Sequence, residues 1–302
     1  MKSPIAYLSR TVLAILAACV AWPAAAQAIP RGGQNFLWEV SSLTNRIYLY
    51  GTVHAGKAAW FPLPKAVEEA FEDSAVLVVE ADITDAAALA KTTTAMTYAA
   101  PDSLQKHVPP DEYARFVKLL PRYGLTEAHV SQMKPFMAVS LLVFSEWARN
   151  AYFPQFGIDA YLIRKARAEL KPVVEIEGVA AQVELMASLT EAENRTLFAG
   201  TLAALESDLT SEQIKGMVAA WQAGDPQAML DIARKYNERV MGAREFEEKF
   251  IWSRHDAMVK RIEAYLNGSR ERHFVAVGSL HLAGPRGLVE LLRSRGYMVR
   301  QK

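Results

Sequence analysis

Cysteine is almost absent from this 302-residue sequence. The only one is Cys19, which lies in an uncharged N-terminal stretch. Beyond that stretch no disulfide can form, and no metal site can be built from thiolates. Any metal bound there must therefore be held by histidine, aspartate or glutamate side chains.

An excess of charge of either sign is also absent. The chain has 34 lysines and arginines against 33 aspartates and glutamates, without a basic cluster. This balance argues against a nucleic-acid-binding protein. Gly-x-Ser-x-Gly, His-Glu-x-x-His and phosphate-loop signatures are missing as well, which excludes the enzyme classes that depend on them. Apolar residues make up 51% of the chain, enough for a sizeable core.

Residues 1–28 have the layout of a secretory signal peptide. Lys2 and Arg10 form a positive start, an uncharged run of 12 residues follows, and small residues come after it. A run of that length is too short for a bilayer, which takes about 20 residues. We predict cleavage after Ala26 or Ala28, and a periplasmic or secreted protein with no transmembrane span after cleavage.

Two alternatives remain open for this segment. The uncharged run could be retained as an N-terminal membrane anchor. The sequence Leu16-Ala17-Ala18-Cys19 also resembles a bacterial lipoprotein box, in which Cys19 is acylated and becomes the new N-terminus.

Strand signals lie at the two ends of the chain, with a helical middle between them. The segments rich in β-branched and aromatic residues are 36–42, 46–52, 75–82, 273–279 and 297–300, and 171–177 is a brief strand candidate within the helical middle. Strands from both ends should share one sheet, because otherwise each would leave an exposed edge. We predict an α+β fold with a single domain over residues 29–302, whose sheet combines N- and C-terminal strands around a large helical middle.

Two finer predictions concern the helices. Thr190-x-x-Glu193 and Thr210-x-x-Gln213 have the pattern of capping boxes, so each should open a helix. Residues 242–266 should form one long amphipathic helix.

The same short motif follows a strand at each end of the chain. The motif is Gly-x-x-His, and it ends at His54 and at His281. Glycine lets the backbone leave a strand sharply and lets a ligand approach closely. Neutral imidazole is a common metal ligand. Each histidine is either a satisfied turn residue or part of one shared pocket.

Glu80 ends the apolar run 76–79. A carboxylate in that place must be paired, because burying a lone charge costs several kcal/mol. One interpretation is a buried ion pair with an arginine or lysine. The other is a site of two histidines and one carboxylate, with His54 and His281, that leaves an open metal position for water.

The strands before His54 and His281 should be adjacent and parallel. Both are apolar runs that need cover on both faces, and both precede a helix-prone segment. Glu80 ends a third such strand, so its carboxylate should reach the same sheet edge.

Longer segments around these motifs resemble the TraB/GumN family. The resemblance covers about residues 36–300, and it is carried by YLYGTVHAGKAAWFPLPKAVEEAFEDSAVLVVEADI, GIDAYLIRKA, KPVVEIEGVAAQ, Trp252-Ser253-Arg254-His255 and FVAVGSLHLAGPRGLVELLRSRGYMV. That family includes the metal-dependent Tiki-type proteases of animals, and it is similar to the erythromycin-esterase and haem-binding ChaN-like folds.

The resemblance implies a set of site residues. His54, Glu80 and His281 would be the catalytic and metal-binding set, with a divalent metal (Mn, Co or Zn) as cofactor. Arg254 and Glu177 would complete the catalytic group. His255 departs from the family pattern, which usually has asparagine, and this departure leaves the role of its segment open.

Arg254 and Glu177 each have an ordinary interpretation as well. Arg254 could be an ion-paired residue on a helix face, or it could stabilise the negative charge of a reacting oxygen. Glu177 could be a carboxylate at a helix N-terminus, or it could reach the sheet edge.

These observations favour an exported metal-dependent hydrolase that acts like a peptidase. The alternative is a non-catalytic envelope protein that uses the same histidines to bind haem, iron or a protein partner. The sequence identifies neither the substrate nor the oligomeric state.

Overall fold

The computed structural model of the protein describes residues 34–302. The signal-peptide prediction for residues 1–28, with Cys19, lies outside the described residues. Within 34–302, six strands form one sheet, in the order β4-β3-β5-β2-β1-β6. The strands are β1 (Leu37–Ser41), β2 (Arg46–Thr52), β3 (Val76–Val79), β4 (Val173–Glu175), β5 (His273–Gly278) and β6 (Met298–Gln301).

The sheet is parallel at its centre and antiparallel at one side. Strands β2, β5, β3 and β4 run parallel, with Tyr48 opposite Phe274 and Val78 opposite Val275. Strand β1 pairs antiparallel with both β2 and β6. The strands that precede His54 and His281 are therefore adjacent and parallel, as predicted.

The central strands are buried because helices cover both faces. All four residues of β3 are buried, as are residues 273–277 of β5. Parallel strands covered in this way read as continuous apolar runs. Helices that share this core are α1 (Lys65–Glu72), α6 (Ile158–Ala168), α12 (His255–Gly268) and α13 (Leu288–Ser294). Each fully buried Leu, Val or Phe side chain contributes about 1.5–3 kcal/mol.

Helices dominate the middle of the chain. They are α2 (Ala86–Ala95), α3 (Pro110–Leu119), α4 (Glu127–Val130), α5 (Pro135–Arg149), α7 (Val179–Ala187), α8 (Glu191–Glu206), α9 (Leu209–Gln222), α10 (Pro226–Val240) and α11 (Ala243–Phe250). Part of this region has its own hydrophobic cluster, in which Phe116, Leu142 and Phe198 are buried. The predicted α+β fold, with terminal strands sharing a sheet around a helical middle, is confirmed.

One predicted helix start is correct and another is wrong. Thr190 caps α8, and its box with Glu193 is complete. Thr210 is no cap, because α9 begins earlier, at Leu209 after Asp208. Thr210 is instead a buried residue inside that helix, with its hydroxyl 3.4 Å from that of Tyr236.

The prediction of one long helix over residues 242–266 is also wrong. The segment breaks after α11 at the buried residue Ile251, passes through a single 3-10 turn at Trp252–Arg254, and continues as α12. The break places Arg254 at a turn, from which its side chain reaches the sheet. That contact is tertiary, so the amphipathic spacing carries no sign of it.

No helix in residues 34–302 is long and apolar enough to cross a bilayer.

Candidate functional site

Four predicted site residues lie just past the carboxyl ends of the four parallel strands. His54 lies two residues after β2, Glu80 one residue after β3 and Glu177 two residues after β4. His281 lies in the short 3-10 helix Ser279–Leu282 that follows β5. Because parallel strands end at the same edge, all four are brought to the edge where open α/β sheets bind ligands.

Arg254 enters this edge from the turn between α11 and α12. Its Nη2 donates to Oε2 of Glu80 at 2.6 Å, and its Nε donates to Oε1 of Glu177 at 2.8 Å. Nη2 also donates to Oε2 of Glu177. The arginine therefore holds two carboxylates from neighbouring strands at once, and the ordinary interpretation of Glu80 as half of a buried ion pair is correct.

The second terminal nitrogen of Arg254 completes its contacts. Nη1 donates to the carbonyl oxygen of Phe250 and to Nε2 of His281, both at 3.0 Å. A guanidinium has five N–H donors, and all five now have an acceptor. In this arrangement Arg254 contributes its positive charge to the site but has no free N–H for a substrate oxygen.

The charges of this cluster stabilise one another. Burial alone would raise the pKa of Glu80, but His281, Arg254 and His54 outweigh burial and lower that pKa to about 2. Burial also lowers the pKa of Arg254, and the hydrogen bond to Glu177 together with the charge of Glu80 reverses this, so its net pKa is raised. Both groups are ionised at neutral pH.

Gly278 leaves an open space at the centre of the site. A Cβ atom there would lie 3.1 Å from Oε1 of Glu80, 3.7 Å from Cδ2 of His281 and 3.9 Å from Nε2 of His54. The backbone N–H of Gly278 donates to Oε1 of Glu80 at 2.5 Å. The missing side chain thus allows three site residues to surround one point.

His281 is buried and rests on a second histidine. Its Nδ1 lies 2.9 Å from Nε2 of His255, and Nδ1 of His255 lies 2.7 Å from the carbonyl oxygen of Arg286. Burial lowers the pKa of His281 to about 3 and that of His255 to about 4. Both imidazoles are therefore neutral at neutral pH.

His54 has a different partner and faces solvent. Its side chain is 60% exposed, and its Nδ1 lies 2.8 Å from Oδ2 of Asp159. The other oxygen of Asp159 accepts a hydrogen bond from the Thr52 hydroxyl at 2.6 Å. The negative charge of Asp159 raises the pKa of the His54 imidazole above its usual value.

Helix α6 approaches the His54 loop very closely. The N–H of Ile158 donates to the carbonyl oxygen of Val53, and a Cβ on Gly157 would lie 2.4 Å from the carbonyl oxygen of His54. Glycine is required where two backbones come this close. This contact sets Asp159, in the first turn of α6, beside the imidazole.

Three residues of this site were not identified as functional from the sequence. Asp159 looks like an ordinary acidic residue in the first turn of a helix. Gln182 donates to Oε2 of Glu80 at 3.2 Å, and His255 was noted only as a departure from a family pattern. The segments of Asp159 and Gln182 lay within the resemblance, which was the one signal available for them.

A cleft of about 890 Å³ lies next to the turn that carries Arg254. Trp252 and Ser253 line it, together with Leu185 of α7. The guanidinium of Arg286 lies 4.3 Å from the centre of the Trp252 ring. The cleft lies beside the Arg254 turn, and none of His54, Glu80, Glu177 and His281 lines it.

Comparison with known proteins agrees with the motifs. The TraB/PrgY/gumN family model matches residues 36–301.

The chain belongs to the TraB/PrgY/gumN family.

Relatives fall into a bacterial and an animal group. The Escherichia coli K12 "Uncharacterized protein YbaP" is 22% identical over 271 residues, which cover 86% of this chain and 94% of that protein. The zebrafish "Metalloprotease TIKI1" is 22% identical over 312 residues, covering 88% of this chain and 62% of that protein. The Xenopus tropicalis "Metalloprotease TIKI2" is 22% identical over 311 residues, covering 88% and 59%. No solved structure matches this chain.

A metal ion is implied by the TraB/PrgY/gumN relatives that are called metalloproteases. The chemistry of His54, Glu80 and His281 suits a divalent metal, but their present bonding does not. No three His, Cys, Asp or Glu side chains within the described residues are placed to hold a metal together. Glu80 and His281 are instead bonded to Arg254. As arranged, these residues do not fit a metal held by all three.

Proposed function

We propose that this protein is an exported hydrolase that cleaves peptide bonds at the carboxyl edge of its sheet. The observation that carries the proposal is that an exposed, carboxylate-bound imidazole and a mostly buried guanidinium lie at the same sheet edge. His54 presents Nε2 to the space that Gly278 leaves open. Arg254 lies at the same edge, between Glu80 and Glu177.

His54 is the group suited to move a proton. Its Nδ1 is bound to Asp159, so Nε2 is the nitrogen available to a water molecule. The neutral imidazole, which His54 adopts as the pH rises through its raised pKa, would take a proton from water as the water oxygen attacks the carbonyl carbon. The same proton would pass to the leaving amine as the C–N bond breaks. A positioned acid–base group of this kind contributes about 10²–10⁴-fold to a rate.

Arg254 would act on the charge that develops during attack. Its five N–H groups are engaged and its charge is paired with Glu80 and Glu177, so it would offset the repulsion that these carboxylates exert on a negative carbonyl oxygen and would make no direct hydrogen bond to that oxygen. That effect is stronger in a buried site than in water, because the effective dielectric constant is lower. Glu80, Glu177 and His281 hold the guanidinium in place through the bonds described above.

The relatives support the peptide substrate. Zebrafish TIKI1 and Xenopus tropicalis TIKI2 are called metalloproteases, and the chain spans about 60% of the length of each. These names also support a metal, for which we propose Mn, Co or Zn, although the observed arrangement of His54, Glu80 and His281 does not. Metal dependence is therefore a separate question from hydrolysis, and the experiment treats it separately.

The test uses the purified chain lacking residues 1–28, incubated with a peptide mixture and read by mass spectrometry. Reactions run with EDTA and with added Mn, Co or Zn. We expect cleavage that falls by about 10²-fold or more in His54→Ala. His129→Ala is the matched control, since His129 lies on α4 in the helical middle. The absence of cleavage under every condition, or full activity in His54→Ala, would refute the proposal.

The reactions with EDTA and with added metal ions test whether cleavage depends on a metal. Cleavage restored only by one ion after EDTA treatment would support a metal-dependent reaction, which then requires Arg254 to release Glu80 and His281. Cleavage unaffected by EDTA would contradict metal dependence and leave the hydrolase proposal intact. A haem titration of the same sample tests the binding alternative, and a Soret band lost in His54→Ala with no cleavage would favour it.

A further inference from the structure

We infer that Asp159 and His255 are positioning residues that set which ring nitrogen carries the proton in His54 and in His281. Each partner lies outside the two Gly-x-x-His motifs and contacts the Nδ1 of one motif histidine. The consequence is that Nε2 of His54 faces the space at Gly278, whereas Nε2 of His281 accepts from Arg254. The inference rests on the proposed function for its catalytic meaning, but it is tested independently of any activity.

The direction of every hydrogen bond around His281 follows from groups that have only one role. Arginine can only donate, so Nε2 of His281 must accept from Arg254. The proton of neutral His281 therefore sits on Nδ1, which must donate to Nε2 of His255.

The hydrogen bonds of His255 run in the same direction and end at a group that can only accept. Its Nε2 is an acceptor, so its proton sits on Nδ1 and points at the carbonyl oxygen of Arg286. A carbonyl oxygen can only accept. The two ends of the chain, a donor-only guanidinium and an acceptor-only carbonyl, thus require the same proton arrangement.

The opposite arrangement would be costly. With the proton on Nε2, His281 would point an N–H at an N–H of Arg254. Its bare Nδ1 would then need a proton on Nε2 of His255, which would leave the bare Nδ1 of His255 against the carbonyl oxygen of Arg286. A buried polar group that loses its partner costs about 1–3 kcal/mol. Since His255 and His281 are both buried, water cannot supply the missing partner.

The direction of the hydrogen bonds around His54 is set by a carboxylate. An ionised aspartate can only accept. Asp159 takes the Thr52 hydroxyl on Oδ1, and it must take an N–H from His54 on Oδ2. Nδ1 of His54 is therefore protonated and Nε2 is the nitrogen on the solvent side. Thr52 holds the carboxylate, and the close approach of α6 holds the helix that carries it.

The direct test is nuclear magnetic resonance of the full chain labelled with ¹⁵N-histidine. Long-range ¹H–¹⁵N spectra report which ring nitrogen is protonated, and the sequence has six histidines. At neutral pH we expect His255 and His281 as Nδ1–H forms. His54 is read at alkaline pH, because Asp159 raises its pKa, and there we expect the Nδ1–H form as well. An Nε2–H form at His54 or His281 in the unmodified protein would overturn the inference.

Variants test whether the two partners are responsible. We expect Asp159→Ala to abolish the Nδ1–H preference of His54, and His255→Leu to abolish that of His281. His255→Gln retains an acceptor and should restore the His281 pattern at least in part. Asp102→Asn is the matched control, because Asp102 binds Nε2 of His107 at 2.9 Å in a second His–Asp pair among the described residues. It should alter only the His107 signals, and an unchanged His54 pattern in Asp159→Ala would contradict the inference.

Activity provides a second readout for samples that cleave peptide. Asp159→Ala should lower kcat by about 10²-fold or more and change KM little, because the imidazole loses its orientation while the cleft is unaltered. A purely structural role would lower the fraction of folded protein and leave kcat per folded molecule unchanged, and that result would refute the role. If the NMR pattern is as expected and no peptide is cleaved, the proposed function fails while the positioning role stands.

Discussion

Arg254 lies 2.6 Å from Glu80, with the arginine side chain 15% exposed and the glutamate 11%. The two residues are 174 positions apart in the chain, so this pair forms only when the helical middle closes over the sheet. It links the turn before α12 to the end of β3. The stability of the edge and its chemistry therefore depend on the same contact.

Removal of Arg254 should destabilise the whole fold. Arg254→Ala leaves Glu80 and Glu177 as buried carboxylates without a counter-charge, and breaking a buried ion pair from one side costs about 3–5 kcal/mol. We expect a loss of that size in the free energy of unfolding, measured by urea denaturation. Arg293→Ala is the control, because its pair with Glu290 is exposed and such pairs contribute about 0–1 kcal/mol. Equal losses in the two variants would contradict the central role of Arg254.

A single methyl group at Gly278 should impair the site more than the fold. Gly278→Ala places a Cβ 3.1 Å from Oε1 of Glu80 and fills the space that Nε2 of His54 faces. We expect peptide cleavage to fall at least tenfold, with a change of about 1 kcal/mol or less in unfolding free energy. Gly268→Ala serves as the control, because a Cβ there meets nothing within 4 Å. Full activity in Gly278→Ala would show that this space does not receive the substrate.

Stability should fall as the pH drops from about 6.5 towards 4. Burial lowers the pKa of His255 to about 4 and that of His281 to about 3, whereas an unfolded histidine has a pKa near 6.5. In this window the unfolded chain binds protons that the folded chain does not, so acid favours unfolding. The expected slope is up to about 1.4 kcal/mol per pH unit for each histidine.

Urea denaturation at a series of pH values measures that slope. His255→Gln removes one of the two titrating groups, so its slope should be visibly smaller than that of the unmodified protein. Glu80 contributes mainly at lower pH, because its pKa is lowered to about 2. His54 acts in the opposite sense: its raised pKa adds stability that is full below about pH 6.5 and is lost as the pH rises through the raised value. A stability curve that is flat from pH 7 to 4.5 would contradict the prediction.

We predict that the protein is exported and that its mature N-terminus lies near Gln27 or Ile29. The reason is the small-residue site that follows the uncharged run. Intact mass of protein recovered from the cell envelope measures this directly. A mass that includes a lipid on Cys19, or one that retains residues 1–28, would contradict cleavage at the predicted position.

The sequence by itself determined where the strands lie and which residues end them. A strand covered on both faces must be apolar along its length. The strands within residues 75–82 and 273–279 can therefore be recognised from the sequence alone. The charged residue or the glycine motif that ends such a strand can also be recognised from the sequence. These strand ends predicted that His54, Glu80 and His281 lie at one sheet edge. The two motif strands were predicted to be parallel because both must be covered on both faces and both lead into helices.

Only the tertiary structure decided what those side chains contact. Asp159 is 107 residues from Thr52, and His255 is 26 residues from His281, and no periodic pattern records such distances. The break at Ile251 and the saturation of all five N–H groups of Arg254 have the same origin. Burial and hydrogen bonding between distant segments outweigh local helix preference, and those energies exist only when the segments are in contact.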